Sequence, residues 1–124
     1  MKFLLDTHVI LWFLNGERLS EKTKKRITDG ENYISVVSLW EVAIKMNIGK
    51  YGFNGGFSAF RELVRSNGFA VLPIKDEYIE RLFVLPLIHR DPFDRIIITT
   101  SIVEEIPIIT SDENVQKYDV SWIW

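Results

Sequence analysis

Short continuous apolar runs alternate along this chain with longer amphipathic stretches, the pattern of strands and helices taking turns in an α/β domain. Phe3-Leu4-Leu5 is apolar at three successive positions, as expected of a strand covered on both faces. A helix is predicted from about His8 to Leu14, stopped by Asn15-Gly16. Ser20 can cap a second helix running to about Asp29-Gly30. Tyr33-Ile34-Ser35-Val36-Val37 is aromatic and β-branched and predicts the second strand. Ser38 then opens a helix through about Ile48, ended by Gly49, and the glycine-rich Tyr51–Phe57 predicts a loop. Helices over Ala59–Ser66 and Asp76–Leu85 flank a third strand, Phe69–Leu72, which Pro73 terminates. Ile96-Ile97-Ile98-Thr99-Thr100 favours a strand by propensity alone. Against that, Asp91-Pro92 sets a capping residue before a proline, and Glu104-Glu105 carries the segment beyond strand length, so a helix is predicted. Pro107–Thr110 and Val120–Trp124 are the fourth and fifth strands.

Size and charge narrow the picture. With 124 residues, 47% hydrophobic and 26% charged, the chain suits one globular domain, residues 1–124. The formal net charge of −2 gives no large basic field for indiscriminate polyanion binding. Cysteine is absent, which excludes a disulfide framework, a thiol nucleophile and a thiolate zinc site. The apolar runs fall far short of a membrane span, and the first one breaks into Asp6 too soon for a signal-peptide core. A cytoplasmic domain is the expectation.

The acids carry the chemistry. Ligands of an open parallel sheet bind beyond the carboxyl ends of its strands. Asp6 directly follows the first strand, Glu41 lies just after the second, and Asp112 comes two residues after the fourth. Asp94, with Asp91 three residues before it, opens the long helix that feeds the fourth strand. Carboxylates gathered in a low-dielectric cleft need a cation or raised pKa values. Without thiolates or a histidine pair, such oxygen donors select Mg²⁺ or Mn²⁺, ions suited to phosphodiester hydrolysis. Structural roles stay open beside this. Ser38-Leu39-Trp40-Glu41 spells a capping box, Asp91 and Asp112 are plausible caps, and a helix dipole favours Asp94.

Four blocks of sequence bear on that choice. Leu4-Leu5-Asp6-Thr7-His8 with Trp12, Ser38 through Lys45, His89 through Arg95, and Ile109-Thr110-Ser111-Asp112 resemble the PIN-domain family. They are most similar to its VapC-like ribonuclease toxins, in family order and at family spacing. The resemblance implies a three-layer α/β/α fold around a mostly parallel sheet, with Asp6, Glu41, Asp94 and Asp112 as catalytic metal ligands. It implies supporting roles for Thr7 and Ser111, and Asp91 is placed beside them as the extra acid of the Asp-Pro-Phe-Asp variant. Asp94 would begin a helix, although Ile98-Thr99-Thr100 replaces the small, alanine-rich stretch usual there. An RNA substrate, an antitoxin partner and a homodimer follow from the same resemblance. Two footholds for the antitoxin are expected: the acidic cleft, and an apolar groove near Trp12, Phe13 and Tyr51–Phe60.

Other readings fare worse. A phosphatase built on a strand ending in Asp needs a second Asp two residues later, and position 8 is His. The glycines at 52, 55 and 56 lack the Gly-Lys-Ser/Thr of a phosphate loop. His8 and His89 are too far apart to suggest zinc, and the four tryptophans are expected in core or interface. Lys22, Lys24, Lys25 and Arg26 are the best candidates for RNA backbone contact, with a solvated helix face as the alternative. The rival of a different class is a non-catalytic protein-interaction domain whose acids are helix caps.

Overall fold

Five strands, β1 (Lys2–Leu5), β2 (Glu31–Ser35), β3 (Ala70–Leu72), β4 (Ile108–Ile109) and β5 (Trp122–Ile123), form one sheet in a computed structural model describing residues 1–124. Their order is β3-β2-β1-β4-β5 and every pairing is parallel. β1 is therefore central, with Leu4 opposite Tyr33 on one side and Ile108 on the other. The helices are α1 (Thr7–Asn15), α2 (Glu21–Asp29), α3 (Val36–Asn47), α4 (Gly56–Ser66), α5 (Asp76–Val84), α6 (Pro92–Glu104) and the single-turn α7 (Glu113–Gln116). The three-layer α/β/α arrangement is the one expected.

The apolar run of β1 explains the layering. Phe3 and Leu5 point to one face and join Val9, Ile10, Ile27, Val42, Phe60 and Val64 from α1 to α4. Leu4 points to the other face and joins Val37, Ile97, Ile98 and Val115 from α3, α6 and α7. Each such fully buried side chain contributes about 2 kcal/mol, which commits β1 to the middle of the sheet. Tyr78 of α5 is buried and donates to Glu104 at 2.6 Å, tying α5 to α6.

The ambiguous isoleucine-rich segment is a helix. Asp91 caps it, accepting from the amides of Phe93 and Asp94 at 2.9 and 3.0 Å, and Pro92 opens it. Thr99 and Thr100 return their hydroxyls to the Ile96 carbonyl, so burial leaves neither unpaired. α6 ends at Glu105 in the left-handed region, φ 56°.

Two boundaries need correction. α4 starts at Gly56 rather than Ala59, so the end of the stretch expected as loop is already helical. β2 ends at Ser35 rather than Val37, and α3 starts at Val36 rather than Ser38. Ser35 is the cap, accepting from the Val37 amide at 3.2 Å, so two β-branched valines wind into the first turn. The Ser38–Glu41 capping box does not form. Ser38 instead meets Thr7, hydroxyl to hydroxyl at 2.8 Å, and Glu41 lies in the second turn. The tryptophans divide between core and surface. Trp12 packs partly buried against the first core cluster, while Trp40, Trp122 and Trp124 are largely exposed. No helix is long and apolar enough to cross a membrane.

Candidate active site

Asp6 ends β1 and occupies the N-cap of α1, yet its side chain caps nothing. It is 5% exposed and its Oδ2 accepts from the Thr110 hydroxyl at 2.6 Å. Thr110 follows β4, and its Oγ1 also accepts from the Asp112 amide at 3.0 Å. The β1–β4 pairing thus sets Asp6 beside the loop that carries Asp112. Asp112 caps α7 through the Asn114 amide at 2.8 Å.

Glu41 reaches the same edge from α3. It is 3% exposed, its Oε2 lies 2.7 Å from Lys45 Nζ, and its Oε1 meets no protein partner. A buried carboxylate oxygen left unmet costs at least about 1–3 kcal/mol, so this atom calls for a partner that the protein does not supply. Lys45 keeps its proton more firmly than usual, because Glu41 and Tyr51 outweigh the burial that would by itself loosen it. Asp94 lies in the first turn of α6, with Oδ2 3.0 Å from His89 Nε2. His89 Nδ1 meets the Tyr118 hydroxyl at 2.8 Å, and Arg95 donates to that hydroxyl at 2.9 Å.

The charges act on one another across the cleft. Burial, then the charges of Asp6, Asp91, Asp112 and Glu41, push the Asp94 carboxyl up to about 8. Burial also raises Asp6, with Asp112 and Glu41 adding to it and the Thr110 bond and His8 opposing. As the side chains stand, no three His, Asp or Glu groups converge closely enough to hold an ion. Each of the four acids nevertheless has just one oxygen bonded within the protein. The second oxygen of each is left for another partner, and the donor set is all carboxylate, which suits a hard divalent cation.

Residues 3–121 match the PIN domain family. The chain belongs to that family. Its fold is similar to that of three solved structures. VapBC2 from Rickettsia felis bound to a promoter DNA fragment superposes with a TM-score of 0.77 at 14% identity, over 99% of this chain and 98% of that one. A toxin–antitoxin complex from Klebsiella pneumoniae gives 0.69 at 20%, over 98% and 95%. DNA-bound VapBC from Salmonella typhimurium gives 0.72 at 14%, over 99% and 97%. No curated protein sequence matches the chain.

Within this PIN domain the expected site residues divide. Asp6, Glu41, Asp94 and Asp112 share the carboxyl edge of the sheet, and Ser111 lines the cavity next to Asp6 and Asp112. Asp91 serves as the α6 cap and raises Asp94 by proximity. Thr7, next to Asp6, meets the Ser38 hydroxyl at 2.8 Å and joins α1 to α3. The basic cluster is brought elsewhere: Lys22, Lys25 and Arg26 border Met1 and Gly30, at the amino end of the sheet. Lys24 and Lys25 are paired with Glu21 and Asp29 of their own helix. A solvated helix face describes that cluster.

Three contributors escaped sequence reasoning. Lys45 stands four residues after Glu41, the spacing of a helical ion pair, and was legible on that ground. Thr110 at a strand end beside Ser111-Asp112 carried a weaker signal. His89 had none, because its approach to Asp94 depends on how Leu85–Asp91 turns into α6 and on Tyr118 from the far end of the chain.

Proposed function

We propose that this single PIN domain is a Mg²⁺- or Mn²⁺-dependent endoribonuclease, the toxin of a toxin–antitoxin pair acting in the cytoplasm. The observation that carries the proposal is the electrostatic coupling of four acids from four separate segments at one sheet edge, one with a buried oxygen that no protein group meets. Asp6, Glu41, Asp94 and Asp112 would hold the cation. When bound, it polarises the phosphoryl oxygen and makes water acidic enough for in-line attack on an RNA phosphodiester. Thr110 fixes the rotamer of Asp6, and the Tyr118–His89 chain fixes that of Asp94. Lys45 balances Glu41 and keeps a positive charge at the mouth of the cleft. Water attack needs no neighbouring 2′-hydroxyl and so forms no cyclic phosphate; loss of the 3′-oxygen as leaving group, the outcome the PIN-family resemblance implies, gives a 5′-phosphate and a 3′-hydroxyl.

The interaction-domain alternative accounts for Asp91 and Asp112, which do cap helices. It offers no role for Asp6, which caps nothing, or for the unpaired oxygen of Glu41.

The toxin–antitoxin assemblies among the structural neighbours support a protein partner. A 550 Å³ apolar groove lined by Ala43, Met46, Tyr51, Phe53 and Phe57 suits an amphipathic segment of it, and the acidic cleft suits its Arg or Lys. The test joins biochemistry to growth. The purified chain is expected to cleave RNA in Mn²⁺ and to stop in EDTA, and its expression to arrest growth until the neighbouring gene product is co-expressed. A chain harmless at verified high expression and inert toward RNA in Mn²⁺ overturns the proposal.

We also propose a homodimer, through the apolar side chains that α5 leaves in solvent. Phe83 is 91% exposed, with Ile79, Val84 and Leu87 beside it, an apolar surface that a second copy would match. Phe83→Glu is expected to halve the mass seen by light scattering. A monomeric parent, or a variant that still dimerises, refutes this surface.

A further inference from the structure

The acid cleft continues past Asp6 along the outer face of α1. His8 and Trp12 are one helical turn apart, with ring centroids separated by 5.7 Å and planes inclined by 32°. Tyr51 approaches His8 edge-on from one side, its hydroxyl 3.2 Å from His8 Nε2. Trp124 approaches Trp12 edge-on from the other, at 6.1 Å. Both neighbours therefore hold the two rings in place without covering them face to face. A 490 Å³ cavity is lined by His8 and Trp12 together with Asp6, Ser111, Asp112, Glu17 and Arg18.

Arg18 adds a second, independent sign. Its φ is 60°, in the left-handed region that an arginine seldom adopts. In that conformation its guanidinium lies over the Trp12 ring, 5.7 Å from the centroid. An unfavourable backbone state is thus maintained where it keeps a cation at the rim of this cavity.

One cavity therefore joins a carboxylate end, where a cation and a phosphate would meet, to an end of aromatic faces with a guanidinium. A single nucleic-acid strand has the matching alternation of anionic phosphate and flat base, and unpaired bases stack on such rings regardless of sequence. A duplex hides those faces. We propose that His8, Trp12 and Arg18 form a nucleobase platform, on which a base next to the scissile phosphate stacks while Arg18 holds a neighbouring phosphate. The proposal rests on the nuclease reading and assigns to three side chains the contact with the base beside the scissile phosphate.

The test uses the full chain carrying Asp6→Asn, in which RNA stays intact, and a short fluorescein-labelled RNA as single strand or matched duplex. The single strand is expected to bind more tightly than the duplex and to quench tryptophan fluorescence. In the Trp12→Phe protein, which keeps a ring in the same place, most of that quench is expected to vanish. His8→Ala is expected to weaken single-strand binding about tenfold. Arg18→Gly is expected to lower the salt slope by about 1 while holding the melting temperature, because glycine accepts the left-handed backbone without strain. Undiminished quenching in Trp12→Phe, with His8→Ala and Arg18→Gly binding within twofold of the parent, overturns the platform. Quenching by an arginine-rich peptide but not by RNA overturns it in favour of a protein occupant. Calorimetry with Mn²⁺ on the chain with Asp6 intact separates the two levels. Mn²⁺ binding and RNA cleavage with no effect of the three variants defeats the platform alone, whereas loss of both in the parent defeats the nuclease reading with it.

Discussion

Asp6→Asn is expected to reduce metal-dependent RNA hydrolysis by about 10³-fold or more while leaving the fold intact. A bound cation contributes several kcal/mol to stabilising the charge that develops in phosphoryl transfer, and each 1.36 kcal/mol is a factor of ten in rate. The carboxamide keeps the size of Asp6 and can still accept from Thr110, whose hydroxyl is the only hydrogen-bond partner of the carboxylate. What it removes is the charge, which burial already disfavours in this position. Asp94→Asn should behave alike, since His89 retains a polar partner. Activity within tenfold of the parent in both purified variants would remove these acids from the site. A cyclic 2′,3′-phosphate product would remove water attack alone and leave the metal site standing.

The second large effect concerns stability in the absence of divalent ions. Asp94 holds its proton up to about pH 8 in the folded chain, whereas an unfolded aspartate releases it near pH 4. Between those values the folded state binds more protons, so the stability tied to Asp94 is complete below pH 4 and is lost as pH rises toward 8. Asp6 is shifted in the same direction. In EDTA, Asp94→Asn should therefore melt close to the parent at pH 5 and above it at pH 8. The gain at pH 8 is up to about 5 kcal/mol, on the order of 15 °C. Mn²⁺ should raise the parent at pH 8 far more than at pH 5. Glu41→Gln should run the other way, because it leaves the partly buried Lys45 without its anion. A scanning-calorimetry series over pH checks all of this. If every Asn or Gln variant melts well below the parent in EDTA, the acids serve the fold and not an ion.

Much of this was written locally in the chain. The three apolar residues of β1 announce a strand buried on both faces, and Asp91-Pro92 outweighs five β-branched residues in deciding for a helix. In both cases the deciding physics, an unbroken apolar run or a cap, acts within a few residues. The start of α3 was illegible for the converse reason. Val36-Val37 favours a strand intrinsically, and the packing of Val37 against α6 and of Ser38 against Thr7 joins the Ser35 cap in deciding for the helix. The acids were legible because parallel strands carry their carboxyl ends to a common edge. The groups that hold those acids were not, since Thr110, His89 and Tyr118 act across separations that no local pattern encodes.

The order of the strands sets a timetable. β1 is made first, yet one of its two neighbours, β4, is made more than 100 residues later, and Asp6 meets Thr110 across 104 positions. Closing so long a separation is slow, and a growing chain cannot do it at all until β4 has left the ribosome. Until then the nascent protein carries Asp6 and Glu41 but no finished cleft. The groove from Ala43 to Phe57 is by contrast encoded in the first half, on helices that pack beside β1 and β2. If the proposed partner recognises this groove, it can engage the polypeptide while it is still being translated, and its restraint would then precede the proposed activity.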